Sequence, residues 1–169
     1  MQMNTEQAKL QDFLKATNDE FGGDITFLEP TKLSAVQTFE RKIGWALPSI
    51  YRFLLTNECN GLRIGNRTVL GVLESGRKKT LSDNLERNND PATSFWFKGR
   101  PHIFKDYLVI ATDGEICFCY SKKYKIDNPL IYICENANYK LGVDFERLEL
   151  DLQGLIEQMI ANEFGSRPD

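Results

Sequence analysis

Apolar residues recur at helical spacing in four stretches of this chain. Leu10, Phe13 and Leu14 sit at i, i+3 and i+4, which predicts a helix over about residues 5–16, before the Gly22-Gly23 pair. Leu33, Val36, Phe39 and Ile43 give a second helix, 31–43, a core face. Thr31 is its expected N-cap, and Gly44 suits the C′ position, where positive φ is needed. Pro48 fits N1 of a third helix, 48–59, because its φ is fixed and its missing N–H would have no partner there. Ile50, Phe53 and Leu54 form its stripe, Tyr51 and Leu55 widen it, and Asn60-Gly61 closes it. Leu152, Leu155, Ile156, Met159 and Ile160 mark the fourth helix, 151–163.

Between the third and fourth helices the period shortens. LRI-GN-RTVLGVL reads as a hairpin turning at Gly65-Asn66, and Tyr107–Thr112 with Glu115–Tyr120 as a second hairpin around Asp113-Gly114. A two-residue turn there sets Cys117 opposite Ile110 and Cys119 opposite Leu108. Leu130–Cys134 reads as a further strand. The polar excursion from Ser75 to Arg100 is too long for a structureless loop, so a short helix is expected near Ser82–Arg87. Helices, then hairpins, then a helix predict an α+β fold. The expected architecture is one domain over residues 1–169, with N-terminal helices and a C-terminal helix on an antiparallel-rich sheet in which mixed pairing is allowed.

Charge narrows the partners. A net charge of −3 and a pI of about 5.3 argue against nucleic acid, whose phosphates call for surplus Lys and Arg. An acidic face toward a basic protein is compatible with this balance. The polar opening MQMNTEQAKLQDFLK does not read as a signal peptide, and no run reaches the ~20 apolar residues of a membrane span. The expected setting is cytoplasmic, with reduced thiols and no membrane partner.

The search for chemistry finds little. Cys117-x-Cys119 has the wrong spacing for a structural zinc pair and puts both thiols on one strand face, so they read as small buried hydrophobes with no metal and no cofactor. His102, the only histidine, stands beside Pro101 with no nucleophile motif near it and reads as a surface or strand-edge residue. Among the carboxylates Asp113 is explained by its turn, and no phosphate-binding glycine motif is present. Arg77-Lys78-Lys79 is balanced by Asp83, Glu86 and Asp90. The aromatic run Ser94-Phe95-Trp96-Phe97-Lys98-Gly99-Arg100 has two readings. Its rings close the core beneath the excursion, or Trp96 and Phe97 with Arg100 form a partner-binding anchor.

Phe39-Glu40, Ile43-Gly44, Leu47-Pro48, Tyr51, Leu54 and Asn60-Gly61 resemble the N-terminal signature of the SUKH superfamily, the Smi/Knr-type domains. The resemblance runs from about Leu33 to Phe164, although the excursion carries no motif of that family. It implies a non-catalytic α+β domain with no shared catalytic residues, in which these ten signature residues are structural. Many bacterial members look like immunity proteins that bind and neutralise a cognate toxin, often a nuclease. Eukaryotic members are regulatory adaptors. The expectation for this chain is a protein that occludes a toxin domain, with a regulatory adaptor as the alternative. A small hydrolase or transferase with an unrecognised site is the reading from another class.

Overall fold

The computed structural model describes residues 2–74, 83–97, 101–123, 125–135 and 145–165, with the side chains of residues 101, 102 and 135 left aside. It is an α+β fold with helices near both ends of the chain and a seven-stranded antiparallel sheet, whose strand order follows chain order, β1-β2-β3-β4-β5-β6-β7.

Helix α1 spans Thr5–Phe21. Asn4 and Gln7 form its capping box, with Gln7 N donating to Asn4 Oδ1 at 2.8 Å and Asn4 N to Gln7 Oε1 at 3.1 Å. It runs five residues past the expected end at Ala16. Thr17 is buried, and the Phe21 ring stacks on Phe164, centroids 4.6 Å apart, so tertiary packing overrides the weak helix formers Thr17, Asn18 and Asp19. Strand β1, Ile25–Phe27, was not expected from the sequence.

Helix α2 spans Leu33–Ile43, and its N-cap is Lys32, not Thr31. The Thr31 hydroxyl donates to Glu74 instead. Leu33, expected on the core face, is instead exposed at the first position of α2. Gly44 takes φ +66°, and its N–H caps Glu40 O at 2.9 Å. Pro48 is the N-cap of α3, Ser49–Phe53, one position before the expected N1. The predicted third helix is therefore a short α-helix followed by a π-helical turn, Leu54–Glu58, which Cys59 N closes onto Leu54 O.

Strands β2, Leu62–Ile64, and β3, Arg67–Val69, form the expected hairpin, with Gly65 at φ +62°. Only three residues of the second arm join the sheet. The excursion contains α4, Leu85–Asn88, capped by Asn84. Its rim, including the 77–79 basic run, lies outside the described residues.

The central hairpin pairs β4, Tyr107–Thr112, with β5, Ile116–Ser121, in a different register from the predicted one. Cys117 faces Thr112 and Cys119 faces Val109. Two causes combine. The Asp113 carboxylate accepts from Glu115 N and Ile116 N at 2.9 and 2.8 Å, which lengthens the turn. The ladder also shifts between Val109 and Ala111, a bulge at Ile110. Both thiols are nonetheless fully buried, as expected, with their sulfurs 3.7 Å apart. Strands β6, Tyr132–Glu135, and β7, Glu146–Arg147, complete the sheet; β6 starts two residues late and β7 was not expected. Helix α5, Leu152–Phe164, is capped by Asp151, whose Oδ1 accepts from Gly154 N at 2.9 Å, and it packs on β2.

Candidate interaction surface around the α2–α3 corner

The signature residues gather where α2 turns into α3 and where the chain leaves α3 for the sheet. Phe39, Leu47, Tyr51 and Leu54 are buried there, and Ile43 is half-buried. Glu40 is a buried carboxylate. Its Oε2 accepts from Leu47 N at 2.7 Å and from Arg52 Nη2 at 2.6 Å, so one oxygen fixes the turn and ties both helices together. Tyr51 donates its hydroxyl to Leu70 O at 2.5 Å, and burial pushes its phenol well above the usual range.

Asn60 acts as a backbone substitute. Its Nδ2 donates to Val72 O, and its Oδ1 accepts from Val72 N, both at 2.9 Å. Gly61 follows at φ +95°, where a Cβ would lie 2.8 Å from Val69 O, so only glycine fits. Asn89, which the sequence reading passed over, repeats the device on β4. It donates to Val109 O and accepts from Val109 N, both at 2.8 Å. The Asn88-Asn89 pair ending α4 is the only signal in the sequence that would have pointed to it.

The aromatic run resolves toward the core. Trp96 and Phe97 are buried, 5% and 0% exposed. Trp96 Nε1 donates to Asn88 Oδ1 at 2.9 Å, and Phe97 meets Phe104 edge-on, centroids 5.7 Å apart. In this conformation neither ring is offered to a partner, so the anchor reading of these two side chains gives way to the core-closing one. The ring this run leaves half exposed is Phe95. Arg100 lies outside the described residues. His102 falls in a 3₁₀ turn, Pro101–Lys105, and its side chain lies outside them too.

Two surfaces flank α2. A hollow of about 480 Å³ runs along its outer side, between Lys32, Ala35, Phe39 and Lys42 on the helix and Leu73 and Glu86 opposite. Burial raises the Glu86 carboxyl above the ordinary range, while the Leu73 N–H and Lys42 pull it back. At the corner itself a second hollow, about 340 Å³, lies between Trp45, Pro48, Arg52 and the 125–127 segment. Among the described residues no group of three or more His, Cys, Asp or Glu is placed to hold a metal ion. The Cys59 thiol is pushed up to about 12 by burial and by Glu58, which leaves it protonated and a poor nucleophile.

A sequence model of the SMI1 / KNR4 family (SUKH-1) matches residues 30–149, more than two thirds of the chain. This protein belongs to the SUKH-1 family. The match takes in the whole α2–α3 corner, the β2–β3 and β4–β5 hairpins and β7. The α1 and α5 helices that stack through Phe21 and Phe164 lie outside it. SUKH-1 membership thus accounts for the shared architecture of the corner. It names no partner. No curated protein matches the chain.

Proposed function

We propose that this chain is a non-catalytic protein-binding domain that neutralises a cognate toxin, a nuclease domain in particular, by stoichiometric occlusion in the cytoplasm. The observation that carries the reading is membership of a family that includes immunity proteins. Two features support it. The signature side chains are engaged in holding the corner together, which leaves them no catalytic task. The chain is mildly acidic, which suits a basic nuclease surface. A regulatory adaptor is the second reading, since the same family includes SMI1 / KNR4 regulators.

Co-expression with a toxin encoded beside this gene tests the proposal. Protection should need near one-to-one amounts, and the complex should survive gel filtration without the toxin being consumed. If no neighbouring gene encodes a toxin and no secreted effector of the same strain is neutralised, the immunity reading fails and the adaptor reading replaces it.

A further inference from the structure

Strand β5 is closed on one side of the sheet and half open on the other. Alternate residues of a strand face opposite ways, so Ile116, Phe118 and Tyr120 share one face and Cys117 and Cys119 the other. On the cysteine face both thiols are fully buried, and Cys134, which pairs with Cys117 from β6, is buried too. On the opposite face the cover is partial. Tyr51 of α3 sits against Tyr120, ring centroids 5.9 Å apart, and Ile131 just before β6 is buried. Farther along the strands that cover runs out. Ile116, Phe118 and Ile133 are only half-buried, and Phe118 and Ile133 are direct neighbours across the β5–β6 ladder.

A sheet face left to solvent ordinarily carries polar residues at alternate positions. These three positions hold isoleucine, phenylalanine and isoleucine. The charges around them have one sign. Glu146 on β7 pairs directly with Ile133, and Glu115 precedes Ile116 at the turn; both are exposed. The residue paired with Ile116 is a third glutamate, Glu135. Among the described residues of β5, β6 and β7 the one cation is Arg147. It pairs with Tyr132, itself paired with Cys119, which puts it on the cysteine face, and its guanidinium reaches Glu149 at 3.4 Å. By contrast, the hollow along α2 combines Lys32 and Lys42 with Glu74 and Glu86, a rim that selects no single charge.

We infer that this face of β5 and β6 docks a basic surface of a protein partner, which seats an aliphatic side chain on Phe118 beside Ile116 and Ile133 and brings Arg or Lys to Glu115 and Glu146. Covering the three side chains removes apolar area from water, and the carboxylates favour a partner of opposite charge and repel an acidic one. An apolar middle within a charged rim is the usual layout of a protein interface. The inference rests on the protein-binding reading above and names the face and the chemistry of its occupant.

The test uses the full chain with ¹³C-labelled isoleucine methyl groups and three acetylated, amidated peptides, Gly-Arg-Leu-Arg-Gly, Gly-Arg-Ser-Arg-Gly and Gly-Glu-Leu-Glu-Gly. Ile25 and Ile64, buried and paired with each other toward the β1 edge of the sheet, are the internal reference. The Arg-Leu-Arg peptide should move the Ile116 and Ile133 methyl resonances and leave Ile25 and Ile64 in place. The Arg-Ser-Arg peptide should bind roughly tenfold more weakly, the loss expected when a leucine side chain is no longer covered. The Glu-Leu-Glu peptide should not bind. Ile133→Thr, which keeps a β-branched side chain, and Glu146→Lys, at an exposed position, should each weaken the Arg-Leu-Arg peptide about fivefold, read at Ile116. Unmoved Ile25 and Ile64 resonances in both variants report an intact fold. No shift at millimolar peptide overturns the inference. So does equal binding of the Arg-Ser-Arg or the Glu-Leu-Glu peptide, and so does an equal response at Ile25 and Ile64. Failure here stays separable from failure of the immunity reading. If wild type protects against a toxin and both variants protect equally well, only the face assignment falls. If no toxin is neutralised and the peptide response holds, the face stands and passes to the adaptor reading.

Discussion

Asn60 and Asn89 show how much of this fold rests on single side chains. Each carboxamide satisfies both backbone groups of one buried valine, Val72 just after β3 and Val109 within β4. Asn60→Ala leaves the Val72 N–H and C=O without partners, and each such group costs ~1–3 kcal/mol. We expect urea denaturation to show a loss of roughly 3 kcal/mol, more than Asn60→Asp, which retains one acceptor. Trp96→Ala should likewise be read as a core deletion, costing about 3–5 kcal/mol in the same assay. Anchor behaviour would look different, with binding lost and stability kept. The sequence marked Asn60 through its place before Gly61, yet Asn89 stayed silent because its partner lies 20 residues away and no local spacing records it. Trp96 was ambiguous for a related reason. An aromatic run shows that area is buried somewhere, and the Asn88 acceptor decides that it is buried within the chain.

At the scale of elements, periodicity located every long helix and both hairpins. It missed what is too short to have a period. Strand β1 has three residues and β7 two, and neither alternates long enough to register. The π-helical turn was hidden because Leu54 and Leu55 continue the apolar stripe of α3 whichever backbone bonding they adopt. The extension of α1 depends on a ring from the far end of the chain. Phe164→Ala should therefore loosen two elements at once, and hydrogen exchange should show protection falling at Thr17–Phe21 as well as in the last turn of α5. Confinement of the change to α5 would mean that the Phe21 stack does not hold α1. The hairpin register erred for a nameable cause. Asp-Gly marks a turn, but Asp113 caps two amides and draws more residues into it.

For the whole molecule, buried ionisable groups set an alkaline limit. Burial raises Tyr51, Tyr120 and Cys59, so the folded state holds protons that the unfolded state releases once the pH passes about 9 for the thiol and 10 for the phenols. Folding stability must fall as pH rises through that window. Lys122 works the other way. Its ammonium donates to Phe104 O, burial lowers it to about 8, and the cost of holding it charged is relieved between about pH 8 and 10.5. Thermal melts should thus hold or rise slightly from pH 8 to 9 and decline above pH 10, and Tyr120→Phe should flatten that decline. On the proposed function, association with a partner of complementary charge should slow as salt rises, while dissociation changes little, which stopped-flow mixing can separate.

Strand order that copies chain order has a consequence for biogenesis. A polypeptide leaves the ribosome from its N-terminus, and here each new strand meets a neighbour that has already emerged. From β2 onward no strand has to wait for a later one before it can pair, and α5 arrives last to cover β2. The sheet can grow by addition during synthesis, with tight turns to close at the β2–β3 and β4–β5 hairpins and longer closures across α2–α3 and the 75–100 excursion. For a protein whose proposed task is to meet a poison made in the same cell, that schedule shortens the interval between translation and protection.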